Sequence, residues 1–265
     1  MHACTLRWTW LACTALGTCA WAEEAAPTVH GETRPSELVW SFGWRLNMDN
    51  MNQPGQFGLR PMIGLRYGRW RTGAVDGESW HRFGQVKTDN TLTYDAHDSV
   101  QWRTSLSASI VNFQRDSTFD AVQSGRKTLR GRVTVDYLGW SHWSAGLVLT
   151  QDLLGRGAGT SLSPSVTYRA ALSDDTTILL SQSMTWSRSD LWRYRSDLAP
   201  SVDTQQASRW GTSMDTSFTL RQRWKPHWSW FAQLGRSHLL TAGDPISQSG
   251  PPVWAGQIGM IYFQR

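Results

Sequence analysis

Cysteine is confined to the first 22 residues of this 265-residue chain, at Cys4, Cys13 and Cys19. Once that segment is removed, neither disulfides nor thiolate chemistry is open to the rest, even in an oxidising compartment. Long apolar runs are equally scarce. Past Ala22 nothing approaches the roughly 20 residues that a membrane helix needs, and the mean hydropathy of −0.43 is too polar for a helical membrane protein. The net charge is only +5. No basic run is long enough to mark a nucleic-acid partner. Asp190, Asp197 and Asp203 share a long loop but lack the Asp-x-Asp-x-Asp-Gly spacing of a calcium site. Gly155, Gly157 and Gly159 do not sit between a strand and a helix, so they form no phosphate cradle. No period of 20–50 residues recurs, which excludes solenoids and propellers. No cofactor or metal is implied.

The N-terminus reads as an export signal. Arg7 is its lone firm charge, a mostly apolar stretch runs from Trp8 to Ala22, and Ala20-Trp21-Ala22 has the small-x-small form of a cleavage site. Residues 1–22 are therefore expected to be a signal peptide. Residues 23–36, polar and Pro-containing, form a flexible periplasmic lead-in. Residues 37–265 remain for the fold.

Over those residues, apolar and polar side chains alternate in twelve segments. The clearest is Leu129-Arg130-Gly131-Arg132-Val133-Thr134-Val135-Asp136-Tyr137. Side chains of a strand point to opposite faces with period two, so one face of each segment is oily and the other wet. Strands are predicted at 38–48, 57–68, 70–80, 85–94, 100–113, 128–138, 142–152, 160–172, 176–187, 209–224, 228–240 and 252–264. Gly73, Asp76, Gly77 and Asn90 interrupt the third and fourth. Pro61 and Pro164 remove ladder donors and are expected near outer strand ends, where a bulge is tolerated. Alternation alone fits a soluble sandwich as well as a membrane barrel.

The connections and the tryptophans favour the barrel. Gly139-Trp140-Ser141, Ser173-Asp174-Asp175 and Lys225-Pro226-His227 read as short turns. Longer segments near 114–127, 188–208 and 241–251 fall between them. Outer-membrane barrels sort their connections this way, with short turns in the periplasm and long loops outside. Fourteen of the 17 tryptophans lie past the signal segment, many beside short turns. Trp40, Tyr67, Trp70, Trp102, Tyr137, Trp140, Trp143, Trp224, Trp228, Trp230 and Tyr262 are the expected aromatic girdle, set at the headgroup level. The fold class is thus all-β, an antiparallel transmembrane barrel of about 12 strands in the outer membrane, with lipid and the barrel-assembly machinery as its first partners.

The wet faces gather Arg45, Arg60, Arg66, Arg103, Arg130, Arg132, Arg169, Arg221 and Arg223, with Asp136 and Asp215 as the clearest acids. Two roles stay open for these lumen-facing residues. They brace a closed interior with ion pairs, or they bias a pore toward anions. His142-Trp143-Ser144 and His227-Trp228-Ser229 place a His two residues before a Ser. That spacing serves some outer-membrane lipid hydrolases, in which the His activates the Ser. A turn followed by a girdle Trp is the plainer account, and no catalytic residue is assigned.

Several short motifs together resemble the MipA/OmpV family of Gram-negative outer-membrane proteins. The likeness runs from Asp152-Leu153-Leu154-Gly155 through the Gly-rich loop to Ser165-Val166-Thr167-Tyr168-Arg169, and on to Thr185-Trp186 and Tyr194. Arg60-Pro61 followed by Leu65-Arg66-Tyr67-Gly68-Arg69-Trp70 is similar to the family's early strand and turn. Gly259-Met260-Ile261-Tyr262 is similar to its closing strand. The chain departs from the family where it ends Tyr262-Phe263-Gln264-Arg265, with Gln264 in place of an aromatic residue. The resemblance implies a non-enzymatic scaffold, the MltA-interacting protein type, that joins a murein hydrolase to a penicillin-binding protein. A small-solute, porin-like channel with an Arg-biased lumen is the alternative, and a lipid hydrolase the distant one.

Overall fold

The alternation written in the sequence becomes a wall with two unlike faces. The computed structural model describes residues 37–48, 57–75, 91–99, 101–112, 127–155, 159–188, 210–240 and 252–264. The expected signal peptide and lead-in, the loop of Asp190, Asp197 and Asp203, and Trp80, Val100, Trp192 and Tyr194 lie outside the described residues.

Twelve strands follow in order: β1 (Leu38–Met48), β2 (Phe57–Tyr67), β3 (Trp70–Thr72), β4 (Leu92–Asp98), β5 (Trp102–Asn112), β6 (Lys127–Tyr137), β7 (Trp143–Asp152), β8 (Thr160–Ala171), β9 (Thr176–Arg188), β10 (Trp210–Lys225), β11 (Trp228–Leu240) and β12 (Val253–Phe263). Each pairs antiparallel with its sequence neighbours, and β12 returns to β1, so the sheet closes into a barrel. Closure joins the first strand to the last, and strands that pair their backbone within a closed wall can cross a bilayer.

The burial pattern inverts that of a soluble sandwich. On β1, Leu38, Trp40, Phe42, Trp44 and Leu46 are exposed, while Ser41, Gly43, Arg45 and Asn47 are buried. Oil faces outward and polarity inward, so the outward face is built for lipid. From Leu38 to Leu46 the strand rises about 26 Å at roughly 3.3 Å per residue. A tilt of about 40° reduces this to roughly 20 Å, close to the ~25 Å apolar band of outer-membrane barrels.

Ten of the twelve strands lie where the alternation places them, within a residue or two. The third and fourth do not. The third, expected over 70–80, ends at Thr72, because Gly73 takes a positive φ of 65° and turns the chain inward. Ala74 then accepts a hydrogen bond from the Ser41 hydroxyl inside the barrel, and Val75 is buried. The fourth, expected over 85–94, runs on to Asp98. A register shift between Asp95 and His97 interrupts its pairing with β5, and that slip hid its second half.

Neither proline sits at a bulge, contrary to expectation. Pro61 is in the middle of β2 opposite Trp44, at a level that three-residue β3 does not reach. Pro164 pairs with Leu147 on β7, and the β8–β9 ladder lapses between Leu162 and Ser165 with its register unchanged. There the Ser163 and Thr185 hydroxyls bond directly at 2.9 Å.

The short connections are 68–69, 99–101, 138–142, 172–175 and 226–227, all at one end of the barrel. By the sorting of loops this is the periplasmic end. Gln264 takes part in barrel closure. Gln264 donates its backbone N–H to the Trp40 carbonyl at 3.1 Å, and its side-chain oxygen accepts from the Trp40 N–H at 3.2 Å.

Candidate functional site in the lumen

Register decides what faces the interior. Arg103 lies opposite Asp136, Ser105 opposite Thr134, Ser107 opposite Arg132 and Ser109 opposite Arg130 across β5 and β6. Arg130 in turn lies opposite Asp152 on β7. Across β1 and β2, Arg45 faces Arg60. Arg66, Arg169, Asp215, Arg221 and Arg223 take inward positions in the same alternation. Four inward charges escape the sequence reading: Arg71, Asp95 and Asp98, on or beside the two misplaced strands, and Asp152 at the end of β7. Each of the first two directly follows an outward aromatic, Trp70 and Tyr94, and that was the available signal. Together the described strands turn ten arginines inward (45, 60, 66, 71, 103, 130, 132, 169, 221 and 223) against five aspartates (95, 98, 136, 152 and 215).

Asp95 is a hub. Its carboxylate accepts from Arg66 Nη2 at 3.2 Å, Arg71 Nε at 3.0 Å and the Ser105 hydroxyl at 3.1 Å, with 2% of its side chain exposed. Asp98 adds Arg103 Nε at 3.3 Å and Arg66 Nη2 at 3.7 Å. Four successive strands are thus tied by charge-assisted bonds, which hold short β3 where its ladder of three pairs is weak.

The interior is divided. On the side of β2, β11 and β12, Met62, Phe231, Ile261 and Phe263 pack together, with Ala74 against them. Arg221, fully buried, pairs in register with Phe231. On the side of β3 to β6 the interior instead leaves a small polar cleft of about 40 Å³, bordered by Arg71, Arg132 and Asp136 and by the hydroxyls of Thr93, Ser105 and Ser107. The inward positions of β8 to β10 are mostly Ser and Thr, cross-linked by bonds such as Thr167 to Ser181 at 2.9 Å. Small neutral side chains on that wall leave the charged groups of β3 to β6 to set the chemistry of the cleft.

The outer rim is aromatic at the periplasmic end. Trp40 and Trp228 flank Tyr262, Trp102 and Trp140 flank Tyr137, and Trp70 meets Tyr94, with centroids 4.7–5.4 Å apart. Tyr67, Trp143 and Trp224 are exposed there too, and the Trp230 Nε1 donates to Gln222 at 2.9 Å. Tyr94 and Tyr168 belong to this belt although the sequence reading leaves them out.

The two His-Trp-Ser triplets are one structural device used twice. His142 Nδ1 lies 3.3 Å from the Arg169 carbonyl, and the rings of His142 and Trp143 both lie tilted against Tyr168. His227 Nδ1 lies 3.1 Å from the Phe263 carbonyl, and His227 and Trp228 both pack against Tyr262, the latter edge-on. Ser144 and Ser229 occupy inward positions instead. Each His clamps the neighbouring strand, and neither is arranged to activate its Ser.

No known sequence family matches the chain, and no curated protein does. Among solved structures it is similar to the NanC porin, at 13% identity over 85% of this chain and 99% of that one, with a TM-score of 0.40. It is similar to the KdgM porin, solved in complex with disordered oligogalacturonate, at 12% identity over 84% and 98%, with a TM-score of 0.44. OmpT, an outer membrane protein of Vibrio cholerae, is 10% identical over 86% and 97%, with a TM-score of 0.38.

Proposed function

We propose that the chain is an outer-membrane channel for small hydrophilic solutes with a preference for anions. The observation that supports this most directly is the divided interior, packed by Met62, Phe231, Ile261 and Phe263 on one side and left as a polar cleft on the other. Twelve strands fall between eight-stranded barrels, whose interiors side chains can fill, and 16–18-stranded porins, which keep a wide aqueous bore. On this reading the path is narrow and off-centre, on the polar side of the half-filled barrel. Ten inward arginines against five aspartates raise the local anion concentration along it. Export through residues 1–22 and insertion by the barrel-assembly machinery belong to this reading. The test is the refolded protein in a planar bilayer. Steady current steps with anion preference are expected, and Arg130→Glu with Arg132→Glu should abolish or reverse that preference. A silent wild type would overturn the channel.

The packed apolar side favours a second reading. A barrel braced shut would serve as an anchor, and the family resemblance then implies a scaffold for a murein hydrolase and a penicillin-binding protein. Capture of a lytic transglycosylase by the full barrel, lost when 23–36 is deleted, together with a silent bilayer, would establish it over the channel.

A further inference from the structure

We propose that the outward face of β8 to β10 is a contact surface for a second copy of this chain within the membrane, centred on Gln182. This contact requires only the outer-membrane barrel and is the same for a channel and for an anchor.

The lipid-facing wall carries an amide there among oily neighbours. The outward positions around Gln182 are Val166 on β8, Leu180 and Met184 on β9 and Phe218 on β10. Gln182 is exposed on the same face, in register between Val166 and Thr216. The Thr216 hydroxyl donates to its side-chain oxygen at 2.7 Å. The two donors of its Nε2 meet no acceptor among the described residues. Trp186, exposed near the outer end of β9, stands four residues farther out. At the usual rise and tilt that is about 10 Å along the membrane normal, beyond the reach of a glutamine side chain. Tyr168 and Trp224 of the periplasmic belt lie on the other side of Gln182. In a lone barrel the amide therefore faces hydrocarbon, which accepts no hydrogen bond.

A second irregularity adjoins the first. The β8–β9 ladder lapses at Ser163 with Thr185 and at Pro164 with Met184. Both pairs depend on the N–H that a proline lacks. The Met184 carbonyl, two residues from Gln182, thus loses its cross-strand donor. Beside the amide the wall is incomplete in its own bonding.

The chemistry of the amide selects the occupant. It both donates and accepts, and its oxygen has a second lone pair beyond the one that Thr216 uses. A two-fold axis along the membrane normal brings the same patch of two copies together. Each Gln182 then donates to the side-chain oxygen of the other. An acyl chain offers no such partner. Polar side chains bonded across the interface join membrane helices in this way, and the same need holds for a strand wall. Val166, Leu180 and Phe218, all exposed, pack around the pair. The patch holds no charge, so like copies do not repel.

Two measurements test the contact, with folding of each variant checked by heat-modifiable gel migration. The first is oxidative cross-linking of the full chain in the outer membrane. Gln182→Cys should give a dimer on a non-reducing gel, and Phe42→Cys, exposed on β1, should not. Wild type, whose cysteines all lie in residues 1–22, sets the background. The second is energy transfer between donor- and acceptor-labelled copies in lipid vesicles, followed as lipid is added. Gln182→Leu should weaken association at least about fivefold. A missing Gln182→Cys dimer, an equal dimer through Phe42→Cys, or a folded Gln182→Leu that associates like wild type would overturn the proposal.

Discussion

The ring of Phe231 lies against the bare backbone of Gly259. A Cβ on Gly259 would stand 2.8 Å from Cε1 and Cζ of that ring, and 2.6 Å from the Trp44 carbonyl oxygen. The two residues face each other across β11 and β12, and Phe231 is fully buried. The ring fills the space a side chain would occupy, and this fit packs one side of the interior.

Gly259→Ala is therefore expected to cost about 1–3 kcal/mol by overpacking. At Gly235 an added Cβ meets nothing nearer than 3.8 Å, so Gly235→Ala should be close to neutral. Phe231→Ala should cost about 3–5 kcal/mol through its cavity. Combined with Gly259→Ala it should cost less than the sum, because the two share that space. Urea unfolding of the refolded barrel measures all four. Strict additivity would count against the ring-on-glycine fit.

The two faces of the wall differ in what they tolerate. Val133 and Leu147 are exposed on the outward face. Val133→Arg or Leu147→Arg should cost about 2–4 kcal/mol if near the midplane. Arg132→Ser, one residue away but facing inward, should cost less. Equal costs on both faces would point to two buried surfaces and a soluble fold.

Asp95→Asn leaves Arg66 and Arg71 with their shared carboxylate gone from a buried site. Removal of one partner from a buried pair costs roughly 3–5 kcal/mol. Asp98→Asn should cost less, since Asp98 is more exposed and its contacts, at 3.3 and 3.7 Å, are longer. Hydrogen exchange should show the extra opening in β3 and β4 first. Equal losses for the two variants would remove Asp95 from its central place.

His142→Ala and His227→Ala should each cost about 0.5–1.5 kcal/mol, the worth of one hydrogen bond. Neither should change turnover of a fluorescent phospholipid, which is expected at the buffer rate for wild type. Hydrolysis by wild type that vanishes in His227→Ala and Ser229→Ala would make the clamp an active site after all.

Most of the wall was legible because lipid on one side and a polar interior on the other force strict alternation, as β1 and β6 show residue by residue. Alternation failed at β3 and β4 for local reasons. Gly73 bends the chain into the barrel after three residues, and the slip at Asp95 to His97 moves β4 out of phase. The cleft depends on that same region, so Arg71 and Asp95 were missed with it, while Arg132 and Asp136 on regular β6 were not. The packed side was hidden for another reason. Met62 and Phe231 read as ordinary oil in the sequence, and only the register turns them inward, away from lipid.

The meeting of β1 with β12 has a consequence in time. Trp40 and Gln264 are 224 positions apart, and the bonds they exchange cannot form until nearly the whole wall has emerged. Until then β1 and β11 each present an unpaired edge, the surface on which strands of separate molecules join. Joining ends so far apart is the slowest kind of contact to make. The vulnerable moment of this protein is its unfinished state, and its survival depends on how briefly that state lasts.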